Sequence, residues 1–385
     1  MFNLFRSSAV FVFLGLTSAA VIRAPLEKRD QCQSTLNTAT KVAHSFVDHY
    51  FNSGTGGFNG GSLWTDANAM EDLGNLMLAT GSSDFGYMQD ISTIGKFALD
   101  PNTNWPNVVA GSNDDAGWIV LALWKIADYK GARGGNPQPY LNAAQQLYNY
   151  IAGQWDGICG GGVWWSASHT YKNAITNQLF LLLSAQGYRR FHDPTYLSNA
   201  KMTWNWLLNS GMRNSDGLWN DGLDSVTCKN NGQTTWTYNQ GVIAAGLGEL
   251  SAATGDRSLL DQAEITLDAV VNHMAVNEIL KESCDNANSG GSVCNADQQI
   301  FKGIWMKHVQ FYLDAANDAS RTAKYAGFLW AQSSAVYFYA TGSTNDPGSV
   351  WYAPNNGGSV FTPKTGSSGL AAHVSAAKYG NCVAV

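Results

Sequence analysis

Charge is scarce in this sequence: Asp, Glu, Lys and Arg together make up 14% of its 385 residues, against 45% hydrophobic. So low a charged fraction excludes a solvated, disordered chain and leaves ample apolar side chains for a large core. Basic residues are the scarcer sign, 23 Lys and Arg against 29 Asp and Glu. An acidic balance of this kind argues against nucleic acid and anionic membranes as partners. No internal apolar run is long enough to span a bilayer. Sustained alternation of apolar and polar residues is missing, so no run of strands is expected. Without an Asn-x-Ser/Thr triplet, no N-glycosylation is expected either. None of the six cysteines (Cys32, Cys159, Cys228, Cys284, Cys294, Cys382) forms a Cys-x-x-Cys pair, which points away from a metal knot or a redox pair.

The N-terminus reads MFNLFRSSAVFVFLGLTSAA. One positive charge, a short apolar run and the small residues Ser18, Ala19 and Ala20 make residues 1–20 a secretory signal, too short to anchor the chain. Residues 21–29 end in Lys28-Arg29, a dibasic processing site, so the mature chain is expected to begin at Asp30. Removing residues 1–29 leaves 19 basic and 28 acidic groups, a net charge of −9. The last residues lack the hydrophobic tail of ~10–20 residues that a GPI signal requires. A secreted product, extracellular or in the cell wall and without a membrane anchor, is expected, and a monomer. In that oxidising compartment an even set of six cysteines reads as disulfides. The only pairing that spacing singles out is Cys284–Cys294.

Periodicity predicts about twelve helices, over roughly 34–50, 66–80, 84–98, 113–129, 137–152, 172–190, 194–209, 235–254, 256–275, 297–314, 318–341 and 368–379. Two kinds alternate. Leu36, Ala39, Val42, Ala43, Phe46 and Tyr50 keep to one stripe, as do Leu260, Ala263, Leu267, Val270 and Met274, leaving one wet face. Stretches such as AGWIVLALWKIA (116–127), AITNQLFLLLSA (174–185) and GVIAAGLGEL (241–250) are apolar nearly all round and must be enclosed. Six wet-faced helices alternating with six enclosed ones predict two concentric rings: an all-α, single-domain (α/α)6 barrel over residues 30–385. Connections leading into the enclosed helices are long and rich in Gly, Asn and Trp, and those leading out are short. All long loops then share one face, where function is expected.

Those loops hold Trp64, Trp105, Trp155, Trp164, Trp165, Trp219 and Trp351. A single loop tryptophan commonly plugs the barrel mouth as extra core. Seven on one face, among Asn, Asp and Gly, favour a sugar cleft, with rings stacking on sugar C–H faces and polar groups binding hydroxyls.

The stretch GSNDDAGW (111–118) sets Asp114 and Asp115 at the start of an enclosed helix. One carboxylate suffices as an N-cap, and adjacent helical residues diverge by about 100°, so the second is redundant in that role. Neighbouring side chains can hold their carboxyls on the order of 5–6 Å apart, close to the spacing of retaining glycosidases. The helix end favours ionisation of one carboxyl, whose charge then raises the pKa of the other. A nucleophile and an acid result. On geometry alone, capping is the commoner use of such a pair.

NDDAGWIVLALWK (113–125) resembles the signature of glycoside hydrolase family 76, the endo-α-1,6-mannanases of fungi and bacteria. YKNAITNQLFLLLSA (171–185), WTYNQGVIAAGLGEL (236–250) and FKGIW (301–305) are similar to three further segments of that family, in the same order. The resemblance implies an (α/α)6 fold and retaining cleavage of α-1,6-mannan, with Asp114 as nucleophile and Asp115 as general acid/base. No cofactor is expected. The same family includes GPI-anchored cell-wall enzymes regarded as transglycosidases on mannan-containing glycans. Transfer is therefore an alternative to hydrolysis, and a non-catalytic mannan-binding toroid a further one that the intact aspartate pair opposes.

Asn173, Asn177, Tyr238, Asn239 and Gln240 sit near the starts of enclosed helices and are candidate sugar ligands, although capping or buried amide networks would explain them equally. Trp64 is a candidate stacking platform. Asp221 and Asp224 in NDGLDS contact a hydroxyl or shape a turn, and Lys302 is expected to pair with a carboxylate near the cleft. His273 and His308 have no ligand-like neighbours, so no metal site is expected.

Overall fold

The computed structural model describes residues 31–287, 294–354 and 357–382; the expected signal and propeptide, residues 1–29, lie outside them. The helices are α1 (Gln33–Tyr50), α2 (Leu63–Thr80), α3 (Met88–Ile91), α4 (Thr93–Leu99), α5 (Trp105–Val108), α6 (Asn113–Ala132), α7 (Gln138–Ala152), α8 (Ala174–Phe191), α9 (Pro194–Asn209), α10 (Thr237–Thr254), α11 (Ser258–His273), α12 (Phe301–Ala316), α13 (Ala319–Ala335) and α14 (Pro363–Tyr379). Two small hairpins, β1 (Phe51–Asn52) with β2 (Gly57–Phe58) and β3 (Ala275–Val276) with β4 (Ile279–Leu280), are the only paired strands among the described residues.

Six helices close a ring: α2 packs on α6, α6 on α8, α8 on α10, α10 on α12, α12 on α14, and α14 back on α2. These are the enclosed helices, apolar on nearly every side because an outer layer covers one side of each. Helices α1, α4, α7, α9, α11 and α13 form that layer. The architecture is the expected (α/α)6 toroid. Backbones approach closely inside it, as a Cβ built on Gly303 of α12 would lie 2.3 Å from Ser368 Cα of α14.

The ring is not filled by apolar side chains alone. Lys307 Nζ reaches Glu71 (2.7 Å), Asp72 (3.0 Å) and Asn68 (2.9 Å), and Ser367 donates to Asp72 (2.5 Å). Asn75, Gln310 and Ser375 extend this buried polar column. A buried ammonium needs such partners, since without them its desolvation would be prohibitive.

Turns out of the inner helices are short and end in left-handed caps, Gly81 after α2, His192 after α8, Gly255 after α10 and Asn317 after α12. The helix expected over 84–98 is instead a turn followed by α3 and α4. Ser92, in extended conformation between them, accepts from Gly95 N–H and starts α4 as its cap. Helix α14 begins five residues earlier than its periodicity indicates, because Thr362 and Thr365 form a reciprocal capping pair around Pro363.

Three disulfides tie the frame: Cys32–Cys382, Cys159–Cys228 and the expected Cys284–Cys294. The first joins the start of α1 to the segment after α14. Among the described residues no helix is long and apolar enough to cross a membrane.

Candidate active site

The long connections, 51–62, 100–112, 153–173, 210–236, 274–300 and 341–362, all lead into inner helices. Around the inner-helix N-termini lies a cleft of about 480 Å³. Trp64 lines it from α2, and Ser112, Asp114, Asp115 and Trp118 from the start of α6. Trp165, Tyr171 and Asn173 come from the 153–173 connection, Asp221, Trp236 and Tyr238 from around the next one, and Asn295, Asp297, Gln298 and Phe301 close the ring.

Asp114 is held by three donors. Its Oδ1 accepts from Ser112 Oγ (2.7 Å) and from Asp115 N–H (3.0 Å), and its Oδ2 from the indole N–H of Trp165 (3.0 Å). Trp165 is held in turn: its N–H donates to Tyr171 O (2.8 Å) and its carbonyl accepts from Asn113 N–H (2.9 Å). Asn113 also donates its side-chain amide to Trp164 O (2.8 Å). The loop tip and the first turn of α6 are thus one hydrogen-bonded unit.

The two carboxyls differ electrostatically. Burial raises both. At Asp114 the three donors oppose burial by stabilising the anion. At Asp115 burial is reinforced by the charge of Asp114 and, more weakly, of Asp297, partly offset by the Ser112 hydroxyl, and the pKa reaches about 7. The shared proton belongs on Asp115, next to an ionised Asp114.

Opposite the pair, Asp221 accepts from Tyr171 OH (2.6 Å), whose oxygen also accepts from Asn231 (2.9 Å). Burial raises the Asp221 carboxyl. The Tyr238 ring lies flat on Phe301, centroids 3.9 Å apart and planes 6° off parallel. Burial and the surrounding carboxylates hold its phenol far above the ordinary range, so it stays a neutral donor.

Of the eight candidate sugar ligands, the structure brings Trp64, Asn173, Asp221 and Tyr238 to the cleft wall. Asn173 doubles as the cap of α8, accepting from Thr176 N–H (3.2 Å). The other four lie behind the wall. Asn177 bridges to both backbone groups of Val163 (2.7 and 3.0 Å), and Gln240 clamps Trp219 in the same way (2.8 and 2.9 Å). Asn239 is completely buried. Lys302 forms a buried ion pair with Asp285 and donates to Ser349 O (2.9 Å). Asp224 shapes a turn, accepting from Val226 and Thr227 N–H.

The tryptophans divide differently from expectation. Trp64 and Trp165 line the cleft, while Trp105, Trp164, Trp219 and Trp351 are buried and Trp155 packs on the core. Large rings fill the space beneath long loops before they decorate a surface. The remaining aromatic walls, Trp118, Tyr171, Trp236 and Phe301, come from residues that had been assigned no role. Each sits within about a turn and a half of an inner-helix start, and that position was the available signal. Asp297 and Gln298 stand as close to the start of α12 and carry the same signal, and Asn295 lies two residues farther out.

Among the described residues, Cys284, Asp285 and Cys294 form the one group with metal-ligand proximity. Its sulfurs are bonded to each other and its carboxylate to Lys302. His308 is buried and held neutral, its pKa lowered to about 4 by desolvation first and then by Lys307.

The sequence model of glycosyl hydrolase family 76 matches residues 34–379. The chain belongs to this family. Relatives of the family 76 chain include the mannan endo-1,6-alpha-mannosidase DCW1 of Eremothecium gossypii, 25% identical over 72% of this chain and 65% of that protein. The mannan endo-1,6-alpha-mannosidase DFG5 of Saccharomyces cerevisiae is 24% identical over 62% of this chain and 50% of its own length. The chain thus spans between half and two thirds of these curated relatives. Its fold matches the α-1,6-mannanase GH76A of Salegentibacter sp. HEL1_6, with a TM-score of 0.75 and 21% identity over 89% of this chain and 99% of that one. An inactive variant of that enzyme, with two consecutive aspartates replaced by asparagine, is known in complex with α-1,6-mannotriose (TM-score 0.74, 19% identity, 89% and 99% coverage). Dfg5 of Chaetomium thermophilum, in complex with glucosamine, matches with a TM-score of 0.74 and 20% identity over 91% of this chain and 92% of that one.

Proposed function

We propose that this chain is a retaining glycoside hydrolase that cleaves internal α-1,6-mannosidic linkages of mannan outside the cell, in the medium or the wall. The observation that carries the reading is the division of labour between two adjacent carboxyls, one gripped by three donors and one raised to about 7. Asp114 attacks the anomeric carbon as Asp115 delivers its proton to the departing glycosidic oxygen, giving a glycosyl ester on Asp114. Asp115, now ionised, takes a proton from water, the water oxygen bonds to the same carbon, and the ester to Asp114 breaks. Two inversions retain the configuration.

Trp64, Trp118, Trp165 and Trp236 supply faces for sugar rings, and Asn173, Asp221 and Tyr238 supply partners for hydroxyls. Asn177 and Gln240 act one layer back, fixing the loops that carry them. The named activity of the DCW1 and DFG5 relatives, and the mannotriose complex of a structural neighbour inactivated at two consecutive aspartates, support this reading.

The test is incubation of the purified protein with linear α-1,6-mannan, followed by product sizing and anomeric analysis. Shorter oligosaccharides with initially retained configuration are expected, and inverted products would overturn the mechanism. Products longer than the substrate would assign transfer instead. Asp114→Asn should abolish turnover. Asp115→Asn, given an activated aryl α-mannoside that the enzyme accepts, should accumulate intermediate, which azide releases as the retained azide. Near-normal turnover in either folded variant would refute the assignment and leave the pair a helix cap worth ~0.5–2 kcal/mol.

A further inference from the structure

Helix α13 does not end cleanly. It passes into a π-helical turn, Val336–Ala340, that puts three adjacent aromatic side chains at the surface. Tyr337 is 40% exposed, Phe338 60% and Tyr339 40%, and the first two rings meet edge to face at 4.9 Å. A fourth ring comes from the other end of the same connection. Phe361 is 39% exposed, and a Cβ built on Gly342 would touch it at 3.4 Å. Neither stretch, AVYFYATGS (335–343) nor GGSVFTP (357–363), contains a charge. Most large rings of this protein are buried or line the cleft, so four in the open form a patch of the kind that marks a binding surface.

Its position names the occupant. The C-terminal end of α13 opens the 341–362 connection, on the same face as the cleft. Gly348 N–H donates to Ala340 O (2.8 Å) and Ser349 N–H to Val360 O (3.1 Å), pinning the two aromatic stretches together. The residue after Phe361, Thr362, donates to Gln299 (2.8 Å), the neighbour of cleft-lining Gln298. The stretch that carries Phe361 is thus tied to the cleft rim. A polymer engaged in a cleft of about 480 Å³ must leave it over some part of that rim.

We propose that Tyr337, Phe338, Tyr339 and Phe361 form a second carbohydrate-binding surface, which holds the polysaccharide chain outside the cleft by stacking on the C–H faces of its sugars. The identity of that chain as α-1,6-mannan rests on the function proposed above. The absence of charge suits a neutral glycan, and a place on the cleft face, tied to its rim, favours a polymer over a second copy of this chain.

Tyr337→Ser with Phe338→Ser is compared with wild type on linear α-1,6-mannan and on α-1,6-mannotetraose, with thermal melting to verify folding. For the polymer KM should rise by about tenfold at unchanged kcat, the effect of ~1.4 kcal/mol from lost ring contacts. Tetraose kinetics should stay within about twofold. Retardation in a native gel containing mannan should weaken. Phe338→Ser alone, at the most exposed ring, should show a smaller change in the same direction. Equal losses on both substrates, or none on the polymer, overturn the surface while leaving the hydrolase reading intact. Retardation that depends on the patch in a protein that cleaves neither substrate supports the surface and sinks the hydrolase reading. A wild-type dimer that the double variant turns into a monomer, without change in polymer kinetics, assigns the patch to self-association and overturns the proposal.

Discussion

A carboxylate's role here is set by who donates to it. Asp114 and Asp115 are chemically identical, yet Ser112, the Asp115 backbone and Trp165 converge on Asp114. Trp165→Phe keeps an aromatic ring, smaller than the indole, and deletes one donor to the anion. A hydrogen bond to a charged group contributes about 1.5–3 kcal/mol, so kcat/KM on α-1,6-mannan should fall about ten- to a hundredfold. The lost donor favoured the ionised form, so the pKa of Asp114 rises and the acidic limb of the pH profile moves to higher pH. In the proposed mechanism Asp115 is protonated for glycosylation, so the basic limb of wild type should lie near pH 7, to which its pKa is raised. A profile flat through that region would contradict the assignment. That both aspartates line the cleft was legible in the sequence, from their place at the start of an enclosed helix on the long-loop face. The donor on Trp165 was not, since it arrives from a loop 51 residues away along the chain.

At the scale of helices, periodicity located nearly every element, and the failures have local causes. The 84–98 stretch keeps a helical pattern of apolar residues, but Ser92 offers the backbone an alternative partner and breaks it in two. Enclosed helices were recognisable because a stretch without a polar face has to be covered. What no pattern conveyed is how closely they approach. Gly303→Ala drives a methyl into the backbone of α14, and a loss of about 1–3 kcal/mol is expected by urea unfolding. Gly131, in the last turn of α6, has nothing within 4 Å of its would-be Cβ. Gly131→Ala should gain about 0.5–1 kcal/mol. If both changes cost the same, close packing is not what the glycine at 303 serves.

For the molecule as a whole, several carboxyls lose more to burial than their partners restore. Burial raises Asp66, Asp115 and Glu282 to about 7 and Asp72 to about 6. Each binds a proton more tightly when folded, so its contribution to stability is greatest below its unfolded pKa and declines as pH rises toward those values. Buried His308 and His373, lowered to about 4, act in the opposite sense between there and their unfolded value. Four carboxyls outweigh two imidazoles, and above pH 6.5 only the carboxyl effect continues. The melting temperature should therefore be higher near pH 5 than near pH 8; the reverse order would mean that these carboxyls are ionised in the native state. The disulfides contribute independently of pH in this range. Replacing Cys32 and Cys382 by serine should cost about 2–5 kcal/mol, and titration of the denatured, unreduced protein should find no free thiol.

That bond between Cys32 and Cys382 spans 350 positions and makes the polypeptide a covalent loop around its own barrel. A protease that severs one exposed connection between those positions would then release nothing. It would leave a rearranged chain with new ends, still threaded through the same twelve-helix frame and still joined where the old ends met. On an electrophoretic gel the clipped molecule should run as one species without reductant and as two with it. A domain built this way tolerates a first cut, and it comes apart only when a second cut or a reductant follows.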